Sequence, residues 1–435
     1  MLSQRNTTAS WTLRSVLLAA IPLAAANPLN FAFPSSATSP VPFVASVDPA
    51  FIEETLQKAR RYMPSIDLLD AAESNAGWLE GPPRENMTAL AGFWAEEYEW
   101  FQTQDEINNN LSHYAVTIPS GAHYEHPIPL HFVHERSAAE DAIPLLLLHG
   151  WPSTHLEWSK VIGPLVAPTD TAAQAFHVVA PDLPGFGFSP APMYSGLGAR
   201  QMGAAFDQLM RQLWYSSYGV ISTDLGWYVG LFLTDLVPDS IIGHLSDFWI
   251  IPPNATDLER LAQNQTTEQE TRYITALRAW KSNHFGYATV HAQLPLALGQ
   301  ALTDTPVGFA GWVWELMHIV GDGYAYSLDE VITSAMMLFI QGTWGKLRAY
   351  KEALKDGENL PITKVPTGAT QWGFPNGDFK DIQYFYDVPR DWLERLVNLV
   401  YLSTHEGGGH FPALSQPELW VQDVQMFFGN LTNKT

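Results

Sequence analysis

The stretch Tyr218-Gly219-Val220-Ile221-Ser222-Thr223-Asp224-Leu225-Gly226-Trp227 decides the fold. A short apolar run ends in a turn with an aspartate at its tip. A small residue stands two places before that aspartate (Ser222) and another two places after it (Gly226). Where a strand doubles back sharply into a helix, bulky side chains at those two places would collide. The spacing therefore predicts such a turn, with the Asp224 side chain pushed out into a pocket. Most enzymes with this turn carry serine there. A carboxylate in that position attacks carbon and leaves an ester on the enzyme, which suits opening of an epoxide or displacement of a halide better than ordinary ester cleavage.

The flanking chain supports an α/β fold. Ile143-Pro144-Leu145-Leu146-Leu147-Leu148 and Phe176-His177-Val178-Val179-Ala180 read as strands buried on both faces. A helix is predicted from Gly198 to Leu213, and a further strand at Ile241-Ile242-Gly243-His244-Leu245. Strands alternating with helices predict a mostly parallel sheet covered on both sides. Upstream, Phe51-Ile52-Glu53-Glu54-Thr55-Leu56 opens a helix, and Ala89 to Gln104 forms an aromatic-rich one whose rings read as packing. Tyr114 to Ile118 and Ile128 to His134 read as strands, with Pro129 suiting an edge. From Pro252 to about Ala353 the pattern turns to helices rich in Trp, Tyr and Met, which predicts a cap inserted into the core. Strand character resumes at Pro361 to Val365 and at Leu399 to Leu402, and a terminal helix starts near Pro417.

Two further elements carry chemistry. His149-Gly150-Trp151-Pro152 follows an apolar strand, and its turn can aim the backbone N–H of Trp151 into a pocket beside that of Leu225, forming a pair of oxyanion donors. Gly407-Gly408-Gly409-His410-Phe411-Pro412 places a histidine on a glycine loop late in the chain, which fits the order nucleophile, acid, histidine of the α/β-hydrolase architecture. The acid belongs in the loop containing Phe374-Pro375-Asn376-Gly377-Asp378-Phe379-Lys380-Asp381. Asp378 and Asp381 are the candidates, and Asp378 is chosen. His405-Glu406 with His410 has the wrong spacing for a zinc-binding helix, and three glycines forbid one, so no metal and no cofactor is expected. His123, His126, His131 and His134 read as ordinary surface histidines.

With these motifs in place, the chain from about Pro42 to its C-terminus resembles the microsomal-type epoxide hydrolases of the α/β-hydrolase superfamily. The resemblance rests on Tyr98-Glu99-Trp100 to Val116, the His149 motif, Pro181-Asp182-Leu183-Pro184-Gly185-Phe186-Gly187-Phe188-Ser189, the Asp224 turn and Gly408-Gly409-His410-Phe411. It implies that Gly286-Tyr287 and Arg348-Ala349-Tyr350-Lys351-Glu352 hold two tyrosine proton donors, Tyr287 and Tyr350. It further implies that Asp224 opens the ring as nucleophile and that His410, oriented by Asp378, activates the water that hydrolyses the ester to a vicinal diol. Two departures stand out. The family usually has Gly-Gly-Asp-Trp-Gly at the turn, where this chain has Ser222-Thr223-Asp224-Leu225-Gly226, and Thr223 is β-branched beside the nucleophile. The family commonly has glutamate where this chain has Gly377. Two alternatives stay open: a haloalkane-type dehalogenase with the same aspartate, and a catalytically degenerate α/β-hydrolase that binds a ligand.

Composition sets the remaining bounds. A formal net charge of −22 argues against nucleic acid as a partner, leaving a small-molecule epoxide and water as the expected reactants. There is no cysteine, hence no disulfide. Arg5 and Arg14, the apolar run Val16 to Ala26 and its small-residue end predict a secretory signal cleaved after Ala26, with an uncleaved membrane anchor as the alternative. Sequons at Asn86, Asn110, Asn254, Asn264 and Asn430 fit secretion. The expected organisation is a signal peptide at 1–26, a linker at 27–42, an N-terminal extension with the first strands at 43–138, the first half of the core at 139–251, the helical cap at 252–353 and the second half of the core at 354–435.

Overall fold

The computed structural model describes residues 29–67, 77–170 and 172–432. The expected signal peptide lies outside the described residues. Nine strands form one sheet in the order β1-β2-β3-β5-β4-β6-β7-β8-β9. They are β1 (Val41–Pro42), β2 (His113–Ile118), β3 (Ile128–Glu135), β4 (Ile143–Leu148), β5 (Phe176–Pro181), β6 (Tyr218–Ser222), β7 (Ile241–Ser246), β8 (Thr363–Trp372) and β9 (Val397–His405). Neighbours from β5 across to β9 run parallel, while β1, β2 and β3 join as antiparallel strands. This is the α/β-hydrolase fold.

The apolar run of β4 is explained by burial on both faces. Leu146 and Leu148 pack into the larger core cluster, and Leu145 and Leu147 into the second, with Trp158, Trp420 and Phe427. The second cluster is closed by the terminal helix Pro417–Thr432. Seven α-helices, from Ala255–Ala262 to Trp344–Asp356, lie between β7 and β8 and form the cap. The early helices Pro49–Arg60 and Arg84–Glu96 dock on that cap, ahead of Trp100–Asn110: Lys58 pairs with Asp304 at 2.9 Å and the Tyr98 hydroxyl meets Thr333 Oγ1 at 3.1 Å. Among the described residues no helix is long and apolar enough to cross a membrane.

Three expectations are corrected. Residues 29–42 are not a loose linker. Phe31 is buried against Phe188 with ring centroids 5.5 Å apart, Asn30 Nδ2 donates to the Ile340 carbonyl, and Val41–Pro42 pairs with β2. The phenylalanines among the prolines and serines supply the apolar area that holds the segment down. Pro129 is not on an edge strand, since β3 lies between β2 and β5. However, β5 reaches only Phe132 to Glu135, so Pro129 occupies the unpaired end on that flank, where a missing N–H costs little.

His131 is not a surface histidine but fully buried. Its Nδ1 meets Asp182 Oδ2 at 2.8 Å, and its Nε2 meets His113 at 2.9 Å. Asp182 also accepts from the backbone and ring of His155, both at 2.9 Å, and from the Phe188 N–H. Burial alone would raise the Asp182 carboxyl, but His155 and His131 outweigh it and hold it well below the usual carboxylate range. This network ties β3 to the loops after β4 and β5. His131, His155 and Asp182 are close enough to hold a metal ion, yet both His131 nitrogens, His155 Nδ1 and both Asp182 oxygens already take part in these hydrogen bonds. Asp182→Asn keeps the shape but sets amide hydrogens against histidine donors. It should cost about 3–5 kcal/mol in urea unfolding, and a loss within about 1 kcal/mol would show that the network contributes little.

Candidate active site

The turn after β6 is built as the spacing requires. Asp224 has φ +45°, in the left-handed region, and starts the helix Asp224–Leu236. A Cβ at Gly226 would collide with the carbonyl oxygens of Leu148 and His149, so only glycine lets the helix start this close to β4. Thr223 is extended, at φ −139° and ψ 158°, a conformation that β-branched residues favour. Its branching therefore adds no strain at the turn. Ser222 Oγ meets His244 Nε2 at 2.6 Å, which ties the end of β6 to β7.

Asp224 opens into a cavity of about 290 Å³ beneath the cap. Trp151 N–H donates to Asp224 Oδ1 at 2.7 Å, and the Leu225 N–H also donates to the carboxylate. The two donors expected to form an oxyanion hole thus both reach the Asp224 carboxylate, with Trp151 on Oδ1. Gly150 is required here, because a Cβ would run into the Asp224 side chain. Burial pushes the Asp224 carboxyl up to about 6, against the pull of the two N–H groups.

His410 stands on the loop after β9, with Nε2 4.0 Å from Asp224 Oδ2. Burial pushes it down to about 4, so it is a neutral base at ordinary pH. Gly408 and Gly409 have φ of +123° and +67°, and they let the chain fold back so that the His410 N–H donates to the Val320 carbonyl at 2.8 Å. From the cap, Tyr287 and Tyr350 face the same cavity, with hydroxyls 3.5 Å apart. Burial, and then the charge of Asp224, pushes both phenols upward, so both keep their protons. His291 packs between them with ring centroids at 5.5 and 5.0 Å, and its Nε2 accepts from the Trp312 indole at 2.9 Å.

The acid is not where the sequence placed it. Asp378 is exposed and bonds His318 Nε2 at 3.0 Å, and Asp381 pairs with His284 at 3.2 Å. Neither meets His410. The physical reason is a cap residue: Asp322 accepts from the Asn376 N–H at 2.7 Å and from the Gly408 N–H at 2.9 Å, pinning the loop so that Asp378 points outward. The partner of His410 Nδ1 is the Tyr386 hydroxyl at 3.3 Å. Sequence reading missed Tyr386, His291 and Asp322, none of which stands in a patterned motif. The five expected groups that do converge are Asp224, His410, Tyr287, Tyr350 and the Trp151–Leu225 donor pair.

The chain is similar in sequence and fold to known proteins. Residues 40–158 match the model of the epoxide hydrolase N terminus, and residues 143–263 match the alpha/beta hydrolase fold. A putative epoxide hydrolase of Stigmatella aurantiaca is 29% identical over 374 residues, covering 83% of this chain and 80% of that protein. The juvenile hormone epoxide hydrolase of Manduca sexta is 26% identical over 409 residues, covering 88% and 84%. The crystal structure of juvenile hormone epoxide hydrolase from the silkworm Bombyx mori superposes with a TM-score of 0.73 at 25% identity, covering 91% of this chain and 95% of that one.

The shifted carboxyl predicts a pH profile. An attack by Asp224 needs the ionised carboxylate, and His410 is already neutral in the range where that forms. The value of kcat/KM for a reactive epoxide should rise through about pH 6 and stay level above it. A limb only near the His410 value, about 4, would contradict this assignment.

Proposed function

We propose that this chain, which belongs to the epoxide hydrolases of the α/β-hydrolase superfamily, turns an apolar epoxide into a vicinal diol through an ester on Asp224. The observation that carries the route is the convergence on one cavity of a carboxylate held by two backbone donors, a neutral imidazole and two protonated phenols. The phenols of Tyr287 and Tyr350 hydrogen-bond the ring oxygen and protonate it as the carbon–oxygen bond breaks. Asp224 attacks the ring carbon from the opposite side. His410 then takes a proton from water, whose oxygen adds to the ester carbonyl. The N–H groups of Trp151 and Leu225 stabilise the oxyanion.

The cavity sets the substrate class. Its walls include Leu277, Phe285, Leu316, Leu354 and Phe385, and about 290 Å³ is at the small end of the usual range for ligand sites. A compact aryl or alkyl epoxide fits this better than a charged one. Leu225, next to the nucleophile, has no side-chain donor for a departing halide, which disfavours the dehalogenase reading. Styrene oxide, short alkyl epoxides and haloalkanes offered to wild type and Asp224→Asn decide the matter. We expect diol from the epoxides, no halide from the haloalkanes, and a loss of at least about 10³-fold in the variant. Halide without diol would overturn the reading.

We also propose that the chain enters the secretory pathway. The basic, apolar and small-residue segments of the first 26 residues support this, and Asn110, Asn264 and Asn430 are exposed. The Asn254 side chain is instead engaged as the cap of the helix Ala255–Ala262. Expression in a secreting eukaryotic host should give protein in the medium that starts at or near Asn27 and carries glycan. Retention in cells with an intact N-terminus would refute the proposal.

A further inference from the structure

His410 lacks the carboxylate that a base of this kind needs. While it holds the proton from water, a buried imidazolium must be stabilised, and Asp378 is turned away. Asp224 is esterified at that moment and carries no charge. The negative charge has to come from elsewhere.

We propose that Asp247 supplies it, as a positioning residue for the His410 step of the ester route set out above. Asp247 immediately follows β7. The register pairs Ser222 with Ser246, and Ser246 Oγ donates to the Ser222 carbonyl at 2.7 Å, so Asp247 leaves the sheet at the same level as the nucleophile turn. The next residue, Phe248, lays its ring on the His410 ring edge, with centroids 5.4 Å apart at 85°. Asp247 is 6% exposed. The Trp420 indole donates to its Oδ2 at 2.8 Å, while Oδ1 is buried without a hydrogen-bond partner among the described residues. Such an oxygen costs stability wherever it has no role.

Tyr386 stands beside His410 and in the field of Asp247. Its hydroxyl lies 3.3 Å from His410 Nδ1, and the charge it feels most is that of Asp247. A second acid completes the arrangement. Glu157 is buried with neither carboxylate oxygen bonded, and burial followed by the charge of Asp247 holds its carboxyl well above the usual range. Two buried carboxyls in mutual reach do not both ionise readily. Burial pushes Asp247 up only to about 6, offset by the Trp420 indole, while Glu157 is held well above the usual range, so of the two Asp247 is the one that ionises first.

The step balances within the site. Water gives a proton to His410 Nε2 as its oxygen adds to the Asp224 ester carbonyl. The tetrahedral intermediate then breaks its bond to the alkyl oxygen. That oxygen takes the proton from Nε2 and leaves as diol, and the second water proton, left on the Asp224 carboxyl, returns to the phenolate formed when the ring opened. Asp247 stays ionised throughout, and its field favours the transient imidazolium.

Rapid-quench single turnovers of the full chain with styrene oxide test this, with intact-protein mass reporting the ester. In Asp247→Asn the ester should form within about threefold of the wild-type rate but hydrolyse at least about 100-fold more slowly, so that it accumulates. Asp378→Asn should behave as wild type. Ester turning over at the wild-type rate in Asp247→Asn, or accumulating in Asp378→Asn instead, would overturn the assignment. His410→Gln is the reference: if it traps ester and Asp247→Asn does not, Asp247 alone is contradicted, whereas ester in neither contradicts the ester route as well. Should Asp247→Asn not fold, Asp247→Glu decides. Moving the charge by one methylene should slow hydrolysis by about tenfold with ester formation unchanged, and an equal loss in both steps would overturn the proposal.

Discussion

The structure depends on keeping one carboxylate charged in a buried place without a cation beside it. Asp224 is held by two backbone N–H groups, and among the described residues no lysine or arginine pairs with it. Burial wins part of the contest, since the carboxyl is pushed up to about 6. Because the folded form binds the proton more tightly than the unfolded chain does, Asp224 favours folding below the ordinary carboxyl range. That contribution is lost as pH climbs through about 6. In the route proposed above that cost has a use, because a weakly solvated carboxylate is a better nucleophile than one surrounded by water.

The surrounding elements follow from that constraint. Gly150 and Gly226 are places where any side chain would strike the nucleophile or the strand beside it. The cap closes the cavity, and it also supplies the two phenols and the grip on the histidine loop. Val320 and Asp322, at the end of one cap helix, hold His410 and Gly408 directly. Cap and core therefore build the cavity together, rather than the cap resting as a lid on a finished site.

The sequence revealed what is local and hid what is not. The Asp224 turn was legible because its small-residue spacing is a steric requirement within five residues. The strand β4 was legible because burial on both faces leaves an uninterrupted apolar run. His410 followed from a glycine loop after the last strand. Tyr287 and Tyr350 came only through resemblance, because a cap tyrosine in a helix looks like packing. The acid was misplaced because its loop is shaped by Asp322, 54 residues away from Asn376, and no pattern in the loop announces that contact. His131 read as exposed for a similar reason: its partner Asp182 is 51 residues distant. Phe31 shows the converse, since two apolar rings outweighed a composition that reads as linker.

The central claim is that Asp224 itself attacks and gives an oxygen to the first product. A single turnover in heavy-oxygen water, with enzyme in excess over styrene oxide, tests it most directly. The account predicts that the diol from this first turnover carries unlabelled oxygen, taken from the carboxylate, and that the label appears in Asp224. Diol fully labelled from solvent in that turnover, with Asp224 left unlabelled, would contradict the account.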